Sequence, residues 1–281
     1  MTSRELFRAE RQLAQGSSVG PVLGLETGTP VVSLGLIANG RPLASLSRRL
    51  NSHGEKLPEV VDELLETAQL KLDQLAAIAV GRGPGSFTGL RIGLAYAKGL
   101  AWAGGLPIVG VNSLDALAMC ADERAMEHPG TIVCPILDAR KGQVYSALYR
   151  VTATAVEKIS DDMILEPSQL TARIGGEAIF VGEGVSVHGA RLIEAMGERA
   201  RVLEPGEQGD SRGMMVAALA VARIVKGDVD SVLTLQPSYV RSLKAALGGQ
   251  AAACLQPAGM EAVWSNEKRS LSSSTQSTTR N

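Results

Sequence analysis

The chain has 281 residues, 45% of them hydrophobic, enough for one large or two modest domains with a sizeable core. A formal net charge of −1 with both signs interspersed, and an aromatic content of 3%, exclude the basic footprint and stacking platforms of a protein that binds nucleic acid unaided. Cys120, Cys134 and Cys254 form no CxxC pair or disulfide framework, which fits a reducing cytoplasm, and the charged residues around Arg4 and Arg11 leave no apolar core for a secretory signal.

Residues 22–25 form a short apolar strand, followed by a turn at Glu26-Thr27-Gly28-Thr29-Pro30 and a second strand over 31–37. Asn39-Gly40, two residues that tolerate positive φ, predicts a hairpin that returns over 42–48, where Pro42 and the arginines suit a sheet edge. Leu57, Val60, Val61, Leu64, Leu65 and Ala68 recur at helical spacing and predict a helix over 57–70, with Pro58 in its first turn. Residues 75–80 read as a buried strand.

The block GRGPGSFTGLR at 81–91 follows that strand and opens a run of helix formers, so it reads as strand, glycine-rich turn and helix, with Ser86 or Thr88 as the cap. Such a turn can receive an anion at the helix N-terminus or serve as a rigid platform for another protein. It is not a Walker loop, because Leu90-Arg91 follows Gly89 where Lys and Ser or Thr belong. Nor is it a dinucleotide fingerprint, because Thr88 stands at the third glycine and Leu106-Pro107 at the acid.

In the helix over 90–103, Gly89, Gly93 and Ala97 fall at i, i+4 and i+8. Each helical glycine costs about 1 kcal/mol relative to alanine, so close approach of another backbone must offset it. That backbone belongs to the domain's own sheet or to a matching helix of another chain. Leu90, Ile92, Leu94, Leu100 and Trp102 spread apolar surface nearly all round the helix. One sheet covers only one side of such a helix, which favours a subunit interface.

A strand over 107–111 and a helix over 113–119, capped by Ser113, complete an α/β unit with a mixed sheet. The second half starts alike: a strand over 131–137, a turn at 138–142 and a returning strand over 143–151. A strand over 178–181 and a long helix over 213–226 follow. Two halves that open alike point to a duplicated architecture with a degraded second copy. His53, His128 and His188 make no HxxxH or HExxH pair, and Ser86 has neither a Gly-x-Ser-x-Gly elbow nor a histidine base.

Taken in order, LGLET at 23–27, GRGPGSFTGLR at 81–91, GLA at 99–101, PIVGVNS at 107–113, DARKGQVY at 138–145 and PSYVR at 237–241 resemble the bacterial TsaB (YeaZ) family over about residues 20–243. The resemblance implies a two-lobed, actin-like α/β fold (ASKHA, of the sugar kinase and Hsp70 type) with a reduced second lobe. Residues 1–19 are then a flexible extension, 20–113 the first lobe, 114–243 the second, reduced lobe, and 244–281 a disordered tail rich in Ser and Thr. It further implies a cytoplasmic, non-catalytic scaffold for making threonylcarbamoyladenosine beside the anticodon of tRNAs that read ANN codons. Its partners are a catalytic TsaD subunit, the ATPase TsaE, and tRNA through the complex; alone it forms a homodimer.

The family helix matching 90–103 packs on its counterpart in the partner, so Phe87, Gly89, Leu90, Ile92, Gly93, Leu94, Tyr96, Ala97 and Leu100 are the expected interface. Glu26, Thr27, Gly28, Gly85, Ser86, Thr88 and Arg91 are the residues nearest any nucleotide. No metal or cofactor is expected on this chain alone, ATP or ADP belonging to the assembled complex. The family's first turn is typically Asp-Thr-Ser, and Glu26-Thr27-Gly28 departs from it.

The rival reading, an actin-like kinase or ATPase, needs an acid and a phosphate turn in each half. Asp138 stands at the second turn, but the bulky, basic Ala139-Arg140-Lys141-Gly142 beside it does not suit a phosphate, so Asp138 is expected to hold the turn or pair with Arg140. A metallopeptidase would need clustered histidines.

Overall fold

The computed structural model describes residues 18–50, 53–121, 128–152, 156–203 and 211–240. The expected tail over 244–281, and the expected N-terminal extension up to residue 17, lie outside them.

Five strands make the first sheet: β1 (Val22–Glu26), β2 (Val31–Ala38), β3 (Arg41–Arg49), β4 (Ala77–Gly81) and β5 (Ile108–Val111), in the order β3-β2-β1-β4-β5. β2 runs antiparallel to β1 and β3, whereas β1, β4 and β5 are parallel. Asn39 and Gly40 make the predicted hairpin turn with φ of 51° and 70°. β1 and β4 are buried along their whole length, which is why they read as unbroken apolar runs. Exposed Arg41, Pro42, Arg48 and Arg49 line the β3 edge.

Helices α1 (His53–Thr67) and α2 (Phe87–Gly104) cover one face of this sheet, where Leu23, Leu25, Leu34, Ile78 and Val80 pack with Leu57, Val61, Leu64, Leu94 and Ala97. α1 starts four residues before the predicted position, so Pro58 stands in its second turn rather than its first.

The second half runs through β6 (Ile132–Pro135), β7 (Leu137–Arg140), β8 (Gln143–Ser146), β9 (Tyr149–Val151), β10 (Val156–Lys158), β11 (Met163–Leu165), β12 (Ala178–Val181) and β13 (Ala200–Leu203). Its main sheet has the order β10-β9-β6-β12-β13. β9 is antiparallel to β6 and β10, and β6, β12 and β13 are parallel, so the first sheet's topology recurs strand for strand. The copy is smaller: its hairpin β9–β10 pairs three residues a side, against eight in β2–β3.

The strand predicted over 131–137 and its return over 143–151 each split in two. β6 ends at Pro135, which has no N–H to donate. β7 and β8 then leave to form a separate three-stranded sheet with β11.

Helices α3 (Ser113–Met119) and α6 (Arg212–Val225) lie between the two main sheets, burying Leu114, Leu117, Val216 and Ala220 against Val22, Ala79 and Val109 on one side and Val133, Tyr149 and Ile179 on the other. Asn112, not Ser113, caps α3: its Oδ1 accepts from the Leu114 and Asp115 N–H groups. Short α4 (Pro167–Thr171) and α5 (Val185–Met196) cover the outer face of the second sheet around Phe180 and Leu192.

Although α6 follows the second sheet in the chain, it rests on the first. Gly24 and Gly35 are directly paired across β1 and β2 and form a furrow for its first turn. A Cβ on Gly35 would lie 2.5 Å from the Met214 Cα, and one on Gly24 would collide with the Gly213 carbonyl. The segment after α6 stays on this lobe too: Asp230 N–H donates to Ile108 O at 2.9 Å, Lys98 Nζ to Leu235 O at 3.2 Å, and Ser238 N–H to Arg82 O at 2.7 Å.

Candidate functional site

Ser86 caps α2, its Oγ accepting from the Gly89 N–H at 3.3 Å, and Gly105 ends the helix in the left-handed conformation. The 18-residue helix is a rod about 27 Å long.

The small-residue stripe faces inward. Gly89, Leu90, Gly93, Leu94 and Ala97 are buried, and the stripe meets the turn that follows β1. A Cβ on Gly93 would collide with the Thr27 side chain, and one on Gly89 with the Thr27 carbonyl. Thr27 Oγ1 donates to Gly89 O at 2.9 Å. These five residues were expected at a subunit interface. The structure corrects that: their partner is their own lobe, and the cost of the helical glycines is offset there. Ile92, Tyr96 and Leu100 are half-buried on the flank and pack on the α1 side of the core, while Phe87 is exposed.

A second stripe faces outward. Arg91, Ala95, Gly99, Trp102 and Ala103 are exposed, and a Cβ on Gly99 would meet open space. Ala95, Gly99 and Ala103 again fall at i, i+4 and i+8. Large rings flank them: Trp102 is 70% exposed and Phe87 55%. Big apolar side chains are thus left in water beside a smooth helical furrow. Sequence reasoning missed Ala95, Gly99 and the exposure of Trp102. The second series was visible as spacing, but spacing does not say which series meets water.

Glu26, at the end of β1, is fully buried. Its Oε1 accepts from the Gly28 N–H at 2.7 Å, and its Oε2 has no hydrogen-bond partner in a slot that a Cβ on Gly81 would fill. The glycine loop closes onto the same turn: Ser86 N–H donates to Gly28 O at 2.7 Å, and a Cβ on Gly85 would lie 2.6 Å from that oxygen. Glu26 Oε1 and Thr27 Oγ1 therefore bond within their own lobe, and Gly28 and Gly85 leave no room between the two turns. A nucleotide phosphate does not fit here, since it would meet a buried carboxylate and a closed backbone. Ser86, Thr88 and Arg91, from the same expected set, are exposed.

At the second turn, Asp138 Oδ1 accepts from the Arg140 N–H at 3.1 Å and Oδ2 lies 3.5 Å from Arg140 Nη1, the turn-holding role expected of it. Asp138 Oδ1 also lies 3.2 Å from Nε2 of buried His188. Between the sheets, buried Arg212 donates through Nη2 to Thr29 Oγ1 at 2.7 Å, and its Nη1 stands 4.0 Å from Glu183 Oε2, tying the first turn to the loop after β12. Among the described residues no three His, Cys, Asp or Glu side chains gather as a metal's donors would. None of the described helices is long and apolar enough to cross a membrane.

Two sheets of one topology with helices between and outside them define an actin-like, two-lobed protein, here with its first phosphate turn closed by its own chain. The family model for TsaD, tRNA N6-adenosine threonylcarbamoyltransferase, matches residues 48–199. The chain is 36% identical over 230 residues to the tRNA threonylcarbamoyladenosine biosynthesis protein TsaB of Haemophilus influenzae, covering 79% of this chain and 93% of the relative. It is 28% identical to the TsaB of Bacillus subtilis, over 80% of this chain and 95% of that one. YeaZ from Pseudomonas aeruginosa superimposes with a TM-score of 0.64 at 26% identity, over 79% of this chain and all of that structure. The chain belongs to the TsaB (YeaZ) family.

Proposed function

We propose that the chain is a non-catalytic scaffold subunit in the synthesis of threonylcarbamoyladenosine on tRNA, and that it acts by docking the outer face of α2 onto a TsaD-type catalytic subunit. The observation that carries this reading is the exposed stripe of Ala95, Gly99 and Ala103 between Phe87 and Trp102. Ile92, Tyr96 and Leu100 flank the interface, whereas Gly89, Gly93 and Ala97 support it from within. The closed turn at Glu26 supports a role without chemistry of its own. ATP or ADP then belongs to the assembled complex, outside this turn. A TsaE-type ATPase and tRNA join through the complex, in the cytoplasm, and the isolated chain pairs with a second copy through the same face.

Coexpression with a TsaD-type subunit tests this. The wild-type chain should copurify with it, and Gly99→Leu, which points into open space, should not, while keeping the circular dichroism of a folded chain. Equal recovery of the partner with Gly99→Leu would remove the outer face from the interface.

A further inference from the structure

Arg91 stands at the head of the outer face of α2. Its guanidinium carbon lies 3.7 Å from the centroid of the Phe87 ring. Its Nε donates to the Tyr239 hydroxyl at 3.0 Å, and the Phe87 and Tyr239 rings stack with centroids 5.4 Å apart. Tyr239 is anchored in turn, because the preceding Ser238 N–H donates to Arg82 O at 2.7 Å. All three side chains are nonetheless open to solvent, Tyr239 by 48%.

An exposed arginine ordinarily spreads over many rotamers, and ordering it costs side-chain entropy. Here the ring fixes the plane of the guanidinium and the tyrosine fixes its rotation about that plane, so much of this cost is met before anything binds. Among the described residues no acidic side chain pairs with Arg91, and its two Nη groups make no hydrogen bond. What is left is a held, unpaired fork open to solvent, the geometry that meets two oxygens of one oxyanion.

Resting on the docking reading, we propose that Arg91 is a specificity-setting residue of this face, held by Phe87 and Tyr239 as a bidentate seat for a carboxylate side chain of the TsaD-type partner. A protein carboxylate suits the surroundings better than a phosphate. The fork is continuous with the apolar stripe along Ala95, Gly99 and Trp102, which a partner helix would cover. Most of the adjoining backbone is also spent: Ser86 N–H bonds Gly28 O, Leu90 N–H bonds Ser86 O and Gly89 N–H bonds Ser86 Oγ, which leaves the N–H groups of Phe87 and Thr88. A phosphate there would meet one guanidinium and two N–H groups at most, fewer than the run of successive N–H groups that phosphate cradles use.

The test is the dissociation constant of the purified full-length chain for the TsaD-type subunit, at low and high salt, for wild type, Gly99→Leu, Arg91→Lys, Arg91→Met and Tyr239→Phe. Melting curves check that each variant is folded. Arg91→Met should weaken binding about tenfold, the scale of a truncated interface arginine, and should reduce its salt dependence. Arg91→Lys keeps the charge but loses the fork, and should recover little of that loss. Tyr239→Phe should weaken binding by a smaller factor and have no further effect in the Arg91→Met background. If Gly99→Leu binds as wild type, the docking reading itself fails. If Gly99→Leu abolishes binding while Arg91→Met or Arg91→Lys binds as wild type, the docking face stands and the seat for a carboxylate is overturned. If the Arg91 variants instead lose binding of Mg-ADP by the isolated chain and keep the partner, the occupant is a phosphate and the proposal is equally overturned.

Discussion

The inner and outer faces of α2 carry the same residue pattern for opposite purposes. Inside, Gly89, Gly93 and Ala97 let the helix sink onto the Thr27 turn until no Cβ would fit. Outside, Ala95, Gly99 and Ala103 leave a furrow that nothing in the described chain fills. The inner stripe is structural and intolerant of change. The outer one can change at Gly99 without meeting any atom of the described chain. Spacing alone cannot separate the two, because each is a perfect i, i+4, i+8 series.

The sharpest way to break this contrast is Gly93→Leu. Its side chain would collide with Thr27, so we expect a loss of about 3 kcal/mol or more, read by urea unfolding or as insoluble chain. A folded Gly93→Leu of wild-type stability would mean that the inner stripe is not tight. Next comes the receiving turn. Arg212→Met removes a buried donor to Thr29 and the guanidinium 4.0 Å from Glu183, and should cost about 3 kcal/mol in the same measurement. A loss of under about 0.5 kcal/mol, the scale of an ordinary surface change, would show that Arg212 does not hold the turn.

Alkaline pH provides a control away from both faces. Burial alone would lower the Lys158 value, but Asp115 and Asp162 outweigh it and raise it above 10.5. Burial, and then Asp115, raise the Tyr149 value well above 10.0. Both groups hold their protons more tightly when folded. Their contribution is therefore complete below the unfolded values and is lost as pH rises through the folded ones. The melting temperature should fall from about pH 10 upward. In Lys158→Met that fall should be shallower, and an equal slope would place its cause elsewhere. The smallest effect is expected on the outer face. Gly99→Ala should raise stability by up to about 1 kcal/mol, because it removes a helical glycine where there is room. A drop in melting temperature at concentrations where the chain is monomeric would show that its own residues cover the face.

Much of the first lobe was legible in the sequence, because its strands are long or fully buried and its punctuation is strong: Asn39-Gly40 turns, Ser86 caps, and residues 81–91 bend. The second sheet was legible only in part: β6, β9 and β12 fall inside predicted strands, whereas β10 and β13, of three and four residues, show neither alternation nor a clear apolar run. α5 was missed because Gly189 and the polar residues of a short amphipathic helix dilute its period. At the site, the glycine loop and its helix were readable, but not the direction of the helix. The Glu26 turn misled for another reason: the type of residue marks a phosphate turn, and only coordinates show that the carboxylate folds back onto Gly28. Tyr239 could be found only through its motif, because 148 residues separate it from Arg91.

The paired glycines under α6 also bear on how the molecule comes into being. All five strands of the first sheet have been synthesised by residue 111, yet the helix that closes their second face begins at residue 212. Throughout the intervening synthesis, Val22, Ala79 and Val109 have no α6 to shelter them. A nascent chain stalled in that window is a finished sheet with a bare greasy side, the kind of species that chaperones hold and that aggregates when they do not. Premature stop codons shortly before residue 212 should therefore yield inclusion bodies rather than a soluble half-molecule.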